Sequence, residues 1–120
     1  MHKKILIVDD DPGICNALAI LLCEEGYRVD ETTDSRKAAS LIKKNKHDIC
    51  LFDYKMKGLN GIDLLKKVKD VNPLCSVFII SGMLDIDVLC RKEIKAGLIA
   101  GVISKPFDVE ALLQRIADVV

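Results

Sequence analysis

The sequence predicts an α/β domain in which a five-stranded parallel sheet is doubly wound by five helices. Three observations predict it. Short, continuous apolar runs recur along the chain: Ile5-Leu6-Ile7-Val8, Ile49-Cys50-Leu51-Phe52 and Val77-Phe78-Ile79-Ile80. Runs of that length without alternation are the mark of strands buried on both faces. Between them lie stretches with apolar residues at helical spacing, so strand and helix alternate five times. Each connection is long enough for a crossover helix, as parallel neighbours require.

The elements follow in order. A first strand covers about residues 4–8. A helix is expected over 12–25, with Ile14, Ala17, Leu18, Leu21 and Leu22 on one side. Asp11-Pro12 suits its start, as N-cap followed by Pro at the first position. Gly26 suits its end as a C′ glycine. The second strand, about 28–32, carries charges and reads as a sheet edge. Thr33 or Asp34 caps a second helix running to about 46, with Ala38, Leu41 and Ile42 inward. The third strand is 48–52, with Asp53 at its end, and the loop 54–60 is rich in Lys and Gly. Gly61 opens a helix to 69 with Ile62, Leu64, Leu65 and Val68 apolar, and Asn72-Pro73 breaks it. The fourth strand, 76–80, ends at Ser81-Gly82. One helix is expected over 85–96, ending at Gly97. The fifth strand is about 99–103, before Ser104-Lys105-Pro106. Asp108 is placed in the first turn of a last helix reaching about 119.

Composition bounds the function. At 120 residues the chain reads as one domain, 1–120, with room for a real core. Eighteen basic residues balance eighteen acidic ones, which argues against non-specific binding to nucleic acid or membrane. No apolar stretch reaches membrane-span length, and Met1-His2-Lys3-Lys4 runs straight into the first strand, with no secretory signal. The five cysteines, Cys15, Cys23, Cys50, Cys75 and Cys90, are odd in number and form no C-x-x-C pair. With only His2 and His47 beside them they suggest no zinc set, but buried or half-buried thiols in a reducing cytosol.

The chemistry gathers at the carboxyl ends of the strands, where open parallel sheets hold their ligands. Strand one ends in Asp9, Asp10 and Asp11. Three adjacent carboxylates repel one another, and Asp11 alone is accounted for as a cap. A hard divalent cation such as Mg²⁺ gives Asp9 and Asp10 a purpose, because it takes oxygen ligands. Strand three contributes Asp53, strand four Ser81 and strand five Lys105. All these ends lie on one rim, so three carboxylates, a hydroxyl and an ammonium converge.

This combination resembles the receiver domain of two-component response regulators, the CheY-like family, over Ile5 to about Ala117. The matching stretches are Ile5 to Asp11, Leu51-Phe52-Asp53-Tyr54-Lys55-Met56, Ile79-Ile80-Ser81-Gly82 and Ser104-Lys105-Pro106-Phe107. The resemblance implies a flavodoxin-like sheet of order 2-1-3-4-5. It implies Asp9 and Asp10 as the acidic pair for Mg²⁺, and Asp53 as phosphoacceptor and metal ligand. It also implies the Lys55 backbone carbonyl as a further ligand, Ser81 as the switching hydroxyl and Lys105 as the phosphoryl-contacting lysine. The implied phosphoryl source is a histidine kinase or phosphotransfer protein, in the cytoplasm. The implied output is a switch in the face formed by the fourth helix, fifth strand and last helix, where partners dock or a homodimer forms. Val88, Leu89 and Ile94 are candidates for that face, with core burial expected for some of them. Such a domain signals and catalyses its own phosphorylation and dephosphorylation, without direct nucleic-acid binding.

Two positions depart from the family pattern. Lys57 stands where Pro is usual, which predicts a less rigid loop after Asp53. Val102 stands where Tyr or Phe is frequent, which removes a rotating ring from the switch. Phe107 reads as a packing residue. Lys55 and Met83 border the phosphoryl position, and Lys55 is expected to alter the lifetime of the acyl phosphate. Two other readings share features. A haloacid-dehalogenase-type phosphatase uses an Asp-x-Asp opening, which Asp9 and Asp11 fit, but Gly13 replaces the expected Thr or Val and no cap domain has room. A flavin carrier of similar topology needs a phosphate cradle after strand one, where the aspartates repel phosphate.

Overall fold

The computed structural model describes residues 3–119. Met1, His2 and Val120, which the reading of the two termini included, lie outside the described residues. The elements are β1 (Lys4–Val8), α1 (Pro12–Glu24), β2 (Arg28–Thr32), α2 (Ser35–Lys44), β3 (Ile49–Asp53), α3 (Gly61–Val71), β4 (Ser76–Ser81), α4 (Ile86–Leu89), α5 (Arg91–Lys95), β5 (Gly101–Ser104) and α6 (Val109–Asp118). The sheet is parallel throughout, in the order β2-β1-β3-β4-β5. The weakly apolar β2 is an edge, as its charges predicted.

Period-two alternation divides the core. Leu6, Val8, Cys50, Phe52, Val77 and Ile79 face one side, under Ala38 and Ile42 of α2 and Leu64, Leu65 and Val68 of α3. Ile5, Ile7, Ile49, Leu51, Phe78, Ile80 and Ile103 face the other, under Leu18 and Leu22 of α1 and Leu112 and Ile116 of α6. Every residue of β3 is buried. Such a strand gains on both faces, at about 25 cal/mol for each Å² of apolar surface removed from water. Phe107 packs half-buried against the second cluster, in the packing role expected of it.

The helix boundaries have identifiable causes. Gly26 adopts φ 94°, in the left-handed region that a C′ glycine supplies. Asp34 rather than Thr33 caps α2, accepting from the N–H of Arg36 at 2.9 Å. Asn60 and Asp63 form a reciprocal capping box at α3. Asp108 is the N-cap of α6 and not a residue of its first turn; its side chain accepts from the N–H of Glu110 at 3.0 Å.

The expected single helix over 85–96 is the main correction. It is two short helices, α4 and α5, meeting at Cys90, so among the described residues six helices wind the sheet rather than five. Only Ile86 and Cys90 of this stretch are buried. Helical stability comes largely from packing an apolar face, and two anchors hold little more than a turn each. Val88, Leu89 and Ile94 are all exposed, against the expectation that some enter the core. Strand β5 starts later than expected, at Gly101, which pairs with Phe78. Any side chain at Gly101 would run into the Arg115 guanidinium. That group lies 5.7 Å from the centre of the Phe78 ring and donates to the Val102 carbonyl at 2.8 Å.

Candidate functional site

The aspartate triplet is divided by local structure. Asp9 follows β1 and is 1% exposed, whereas Asp10 is exposed. Asp11 turns back to cap α1, accepting from the N–H groups of Gly13 at 2.9 Å and Ile14 at 3.3 Å. The backbone N–H of Asp11 in turn donates to Asp9 Oδ1 at 2.9 Å. One side chain thus holds the helix start while its own backbone holds the buried carboxylate in place.

Asp53 is the last residue of β3 and is 8% exposed. Lys105 reaches it from beyond β5. Its Nζ donates to Asp9 Oδ2 at 2.8 Å and to Asp53 Oδ2 at 3.3 Å. No donor among the described residues reaches Asp53 Oδ1, and that atom is not sealed from solvent. Asp9, Asp10 and Asp53 each place one carboxylate oxygen within 4.8 Å of the other two. Against three formal negative charges stands one ammonium, which leaves a surplus equal to one divalent cation. The donors are hard oxygens, the class that Mg²⁺ and Ca²⁺ take.

The electrostatics follow from that crowding. Burial raises the Asp53 carboxyl from 3.8 to about 6; the charge of Asp9 pushes the same way, and Lys105 opposes both. Burial works to lower Lys105, but the hydrogen bond to Asp9 and the two carboxylate charges outweigh it and hold the ammonium above its ordinary value.

Ser81 ends β4, buried, and pairs in register with Ser104. Its Oγ accepts from the N–H of Met83 at 3.0 Å, and its carbonyl accepts from the N–H of Lys105 at 2.8 Å. Beside it opens a cleft of about 230 Å³ lined by Met83, Ile86, Val102 and Lys105 among others, where the small Val102 leaves space. Lys55 is exposed, and its carbonyl accepts no hydrogen bond from any described residue. Lys105–Pro106 is a cis peptide bond.

All the residues singled out at strand ends are brought to one rim: Asp9, Asp10, Asp53, Ser81 and Lys105, with Lys55 just beyond. Sequence reasoning missed the support beneath them. Ser35 of α2 is buried; its Oγ donates to the Lys57 carbonyl at 2.8 Å and accepts from the N–H of Leu59 at 3.0 Å. Ser35 thus ties the loop after Asp53, in which Lys57 stands, to α2 through two hydrogen bonds. The other support is Gly61. A side chain there would meet the Asp53 carbonyl at 2.8 Å, so α3 can start against the end of β3 only with glycine. The one available signal was the unusual glycine at the first position of a helix.

Comparison with known proteins agrees with this geometry. The family model described as "Response regulator receiver domain" matches residues 5–117. Over 116 residues the chain is 30% identical to Sporulation initiation phosphotransferase F of Bacillus subtilis, covering 97% of this chain and 92% of that one. It is 32% identical over 117 residues to Chemotaxis protein CheY of Thermotoga maritima, covering 97% and 96%. Several other curated relatives are longer, and the chain spans 51%, 50% and 25% of three of them. A crystal structure of a CheY-like receiver domain protein from Methanospirillum hungatei superposes with a TM-score of 0.87 at 29% identity, covering 98% of this chain and 93% of that one. The chain belongs to the receiver domain family of two-component response regulators.

Proposed function

We propose that this chain is a single receiver domain, over 1–120, that takes a phosphoryl group onto Asp53. The observation that carries the reading is the state of that carboxylate: one oxygen faces the Lys105 ammonium at 3.3 Å and the other is open. The open oxygen forms the new bond to phosphorus as the donor's leaving group departs, giving an acyl phosphate. Lys105 stays beside the reacting centre and pairs with a phosphoryl oxygen, where charge accumulates. The Ser81 hydroxyl turns from the Met83 N–H to donate to another. Asp9, Asp10, Asp53 and the Lys55 carbonyl would hold Mg²⁺, whose charge would offset the repulsion between the carboxylate and the incoming anion.

The phosphoryl source is a histidine kinase or phosphotransfer protein, acting in the cytoplasm. No helix among the described residues is long and apolar enough to cross a membrane. The output face is that of α4, α5, β5 and α6, where Leu84, Val88, Leu89 and Ile94 are exposed and available to a partner or a second copy. Direct nucleic-acid binding forms no part of this reading. A phosphatase attacking through Asp9 fits poorly, because both oxygens of Asp9 already accept hydrogen bonds, at 2.9 and 2.8 Å. The test is incubation with Mg²⁺ and acetyl phosphate, followed by mapping of the modified residue. Phosphate on Asp53, absent from Asp53→Asn, is the expected result. Phosphate on Asp9, or none on either, would overturn the reading. Beryllofluoride, as a phosphoryl mimic, is expected to bind wild type and not the variant.

A further inference from the structure

At the opposite end of the sheet lies a pair of groups that phosphoryl chemistry does not use. Cys50 is the second residue of β3 and Cys75 immediately precedes β4. Their sulfurs are 3.6 Å apart. A disulfide needs about 2.05 Å, so closing the gap asks for a shift of about 1.5 Å. In the parallel register Cys50 pairs with Val77, two residues beyond Cys75, so the two sulfurs meet on a diagonal between neighbouring strands.

The two thiols are unequal. Cys75 is lowered: its hydrogen bond with Cys50 acts first, burial opposes it, and the charge of Lys69 lowers it further against that of Asp48. Lys69 is fixed there: its Nζ donates to the Cys75 carbonyl at 2.6 Å and to the Pro73 carbonyl at 3.2 Å. Cys50 is raised, first by its hydrogen bond with Cys75 and then by burial. Burial pushes the thiol of Cys15 up to about 11, and that of Cys90 is raised too. Buried thiols are ordinarily inert for want of access. Here Cys50 and Cys75 line a small cavity with His47, Asn45 and Asn72, with about 10 Å³ of room for the centre of a water-sized molecule. That measure is at the lower bound for one water molecule.

We propose that Cys50 and Cys75 are an oxidant-accepting pair that forms a reversible disulfide with hydrogen peroxide. The Cys75 sulfur attacks the peroxide, forming an S–O bond as the O–O bond breaks, and the Cys75 thiol proton joins the departing hydroxide to make the first water. The Cys50 sulfur then attacks Cys75, forming the S–S bond as the S–O bond breaks, and its own proton completes the departing water. Two thiols and one peroxide give one disulfide and two waters. The bond ties the amino-terminal ends of β3 and β4, the strands whose other ends carry Asp53 and Ser81.

The test treats the whole folded chain with hydrogen peroxide and then digests it without reductant, with the exposed Cys23 as internal reference. Expected are the loss of two of the five thiols, one linked peptide pair containing Cys50 and Cys75, and recovery of both thiols with dithiothreitol. In Cys50→Ser, Cys75 is expected to stop at the sulfenic acid and to be labelled by dimedone. Cross-linking of Cys23 alone, or oxidation of Cys23 while Cys50 and Cys75 still alkylate fully after unfolding, would overturn the proposal. So would a Cys50–Cys75 link that forms only in denaturant. The wild-type chain carries these outcomes, so a variant that fails to fold does not remove the test.

Discussion

Neutralising Asp53 is expected to stabilise the metal-free protein. The carboxyl is raised from 3.8 to about 6 by burial and by Asp9. A folded-state value above the unfolded one means that the native protein holds the proton more tightly than the unfolded chain. Stability is therefore fullest below the unfolded value, falls as pH rises through the window from 3.8 to about 6, and stays reduced above it. A shift of about two units corresponds to about 3 kcal/mol. Relaxation and water entry reduce this, and Asp53→Asn also weakens one of the two contacts of Lys105, so a gain of about 1–3 kcal/mol at neutral pH is expected. Urea unfolding of wild type and variant in a chelator, at a series of pH values, measures it. The difference is expected to open between about pH 4 and pH 7 and to vanish below that window. Mg²⁺ is expected to recover wild-type stability, by about 1.4 kcal/mol at ten times its Kd, and to do less for the variant. A variant less stable than wild type in chelator, or a difference that does not change with pH, would refute the electrostatic account of the site.

Three further outcomes follow. Ser35→Ala leaves the Lys57 carbonyl and the Leu59 N–H without their partner, so a loss of about 1–2 kcal/mol is expected by urea unfolding, with slower phosphorylation by acetyl phosphate. An unchanged phosphorylation rate would show that the loop does not depend on α2. Gly61→Ala drives a methyl group to 2.8 Å from the Asp53 carbonyl, and about 1–3 kcal/mol of destabilisation is expected, measured in the same way. Lys55→Asn is expected to alter the rate at which phosphate leaves Asp53, followed by mass spectrometry after removal of the donor. An identical rate would exclude a role for the exposed Lys55 side chain.

The strand ends were legible because each rests on a local pattern. A buried strand announces itself as an unbroken apolar run, and a parallel sheet puts all such ends on one rim. Asp9, Asp53, Ser81 and Lys105 could therefore be brought together from residues far apart in sequence. Asp11 was readable as a cap because Pro12 follows it. What escaped depends on contacts between elements that no local pattern records. Ser35 looks like any polar residue at a helix start, and its hold on the β3–α3 loop exists only once α2 is docked. The break at Cys90 is of the same kind. The spacing of Ile86, Leu89, Cys90 and Ile94 suits one helix, and only burial shows how few of these residues have anything to pack against. The nearness of Cys50 and Cys75 likewise needed the register of β3 against β4, since 25 positions separate them.

The bond from the Lys105 amide to the Ser81 carbonyl joins the two residues through their main chains as well as across the rim. A tug on the charged tip of one is thus felt by the peptide unit bearing the other. Cation and alcohol share one main-chain link, and Ser81 stands at the start of the segment leading into α4.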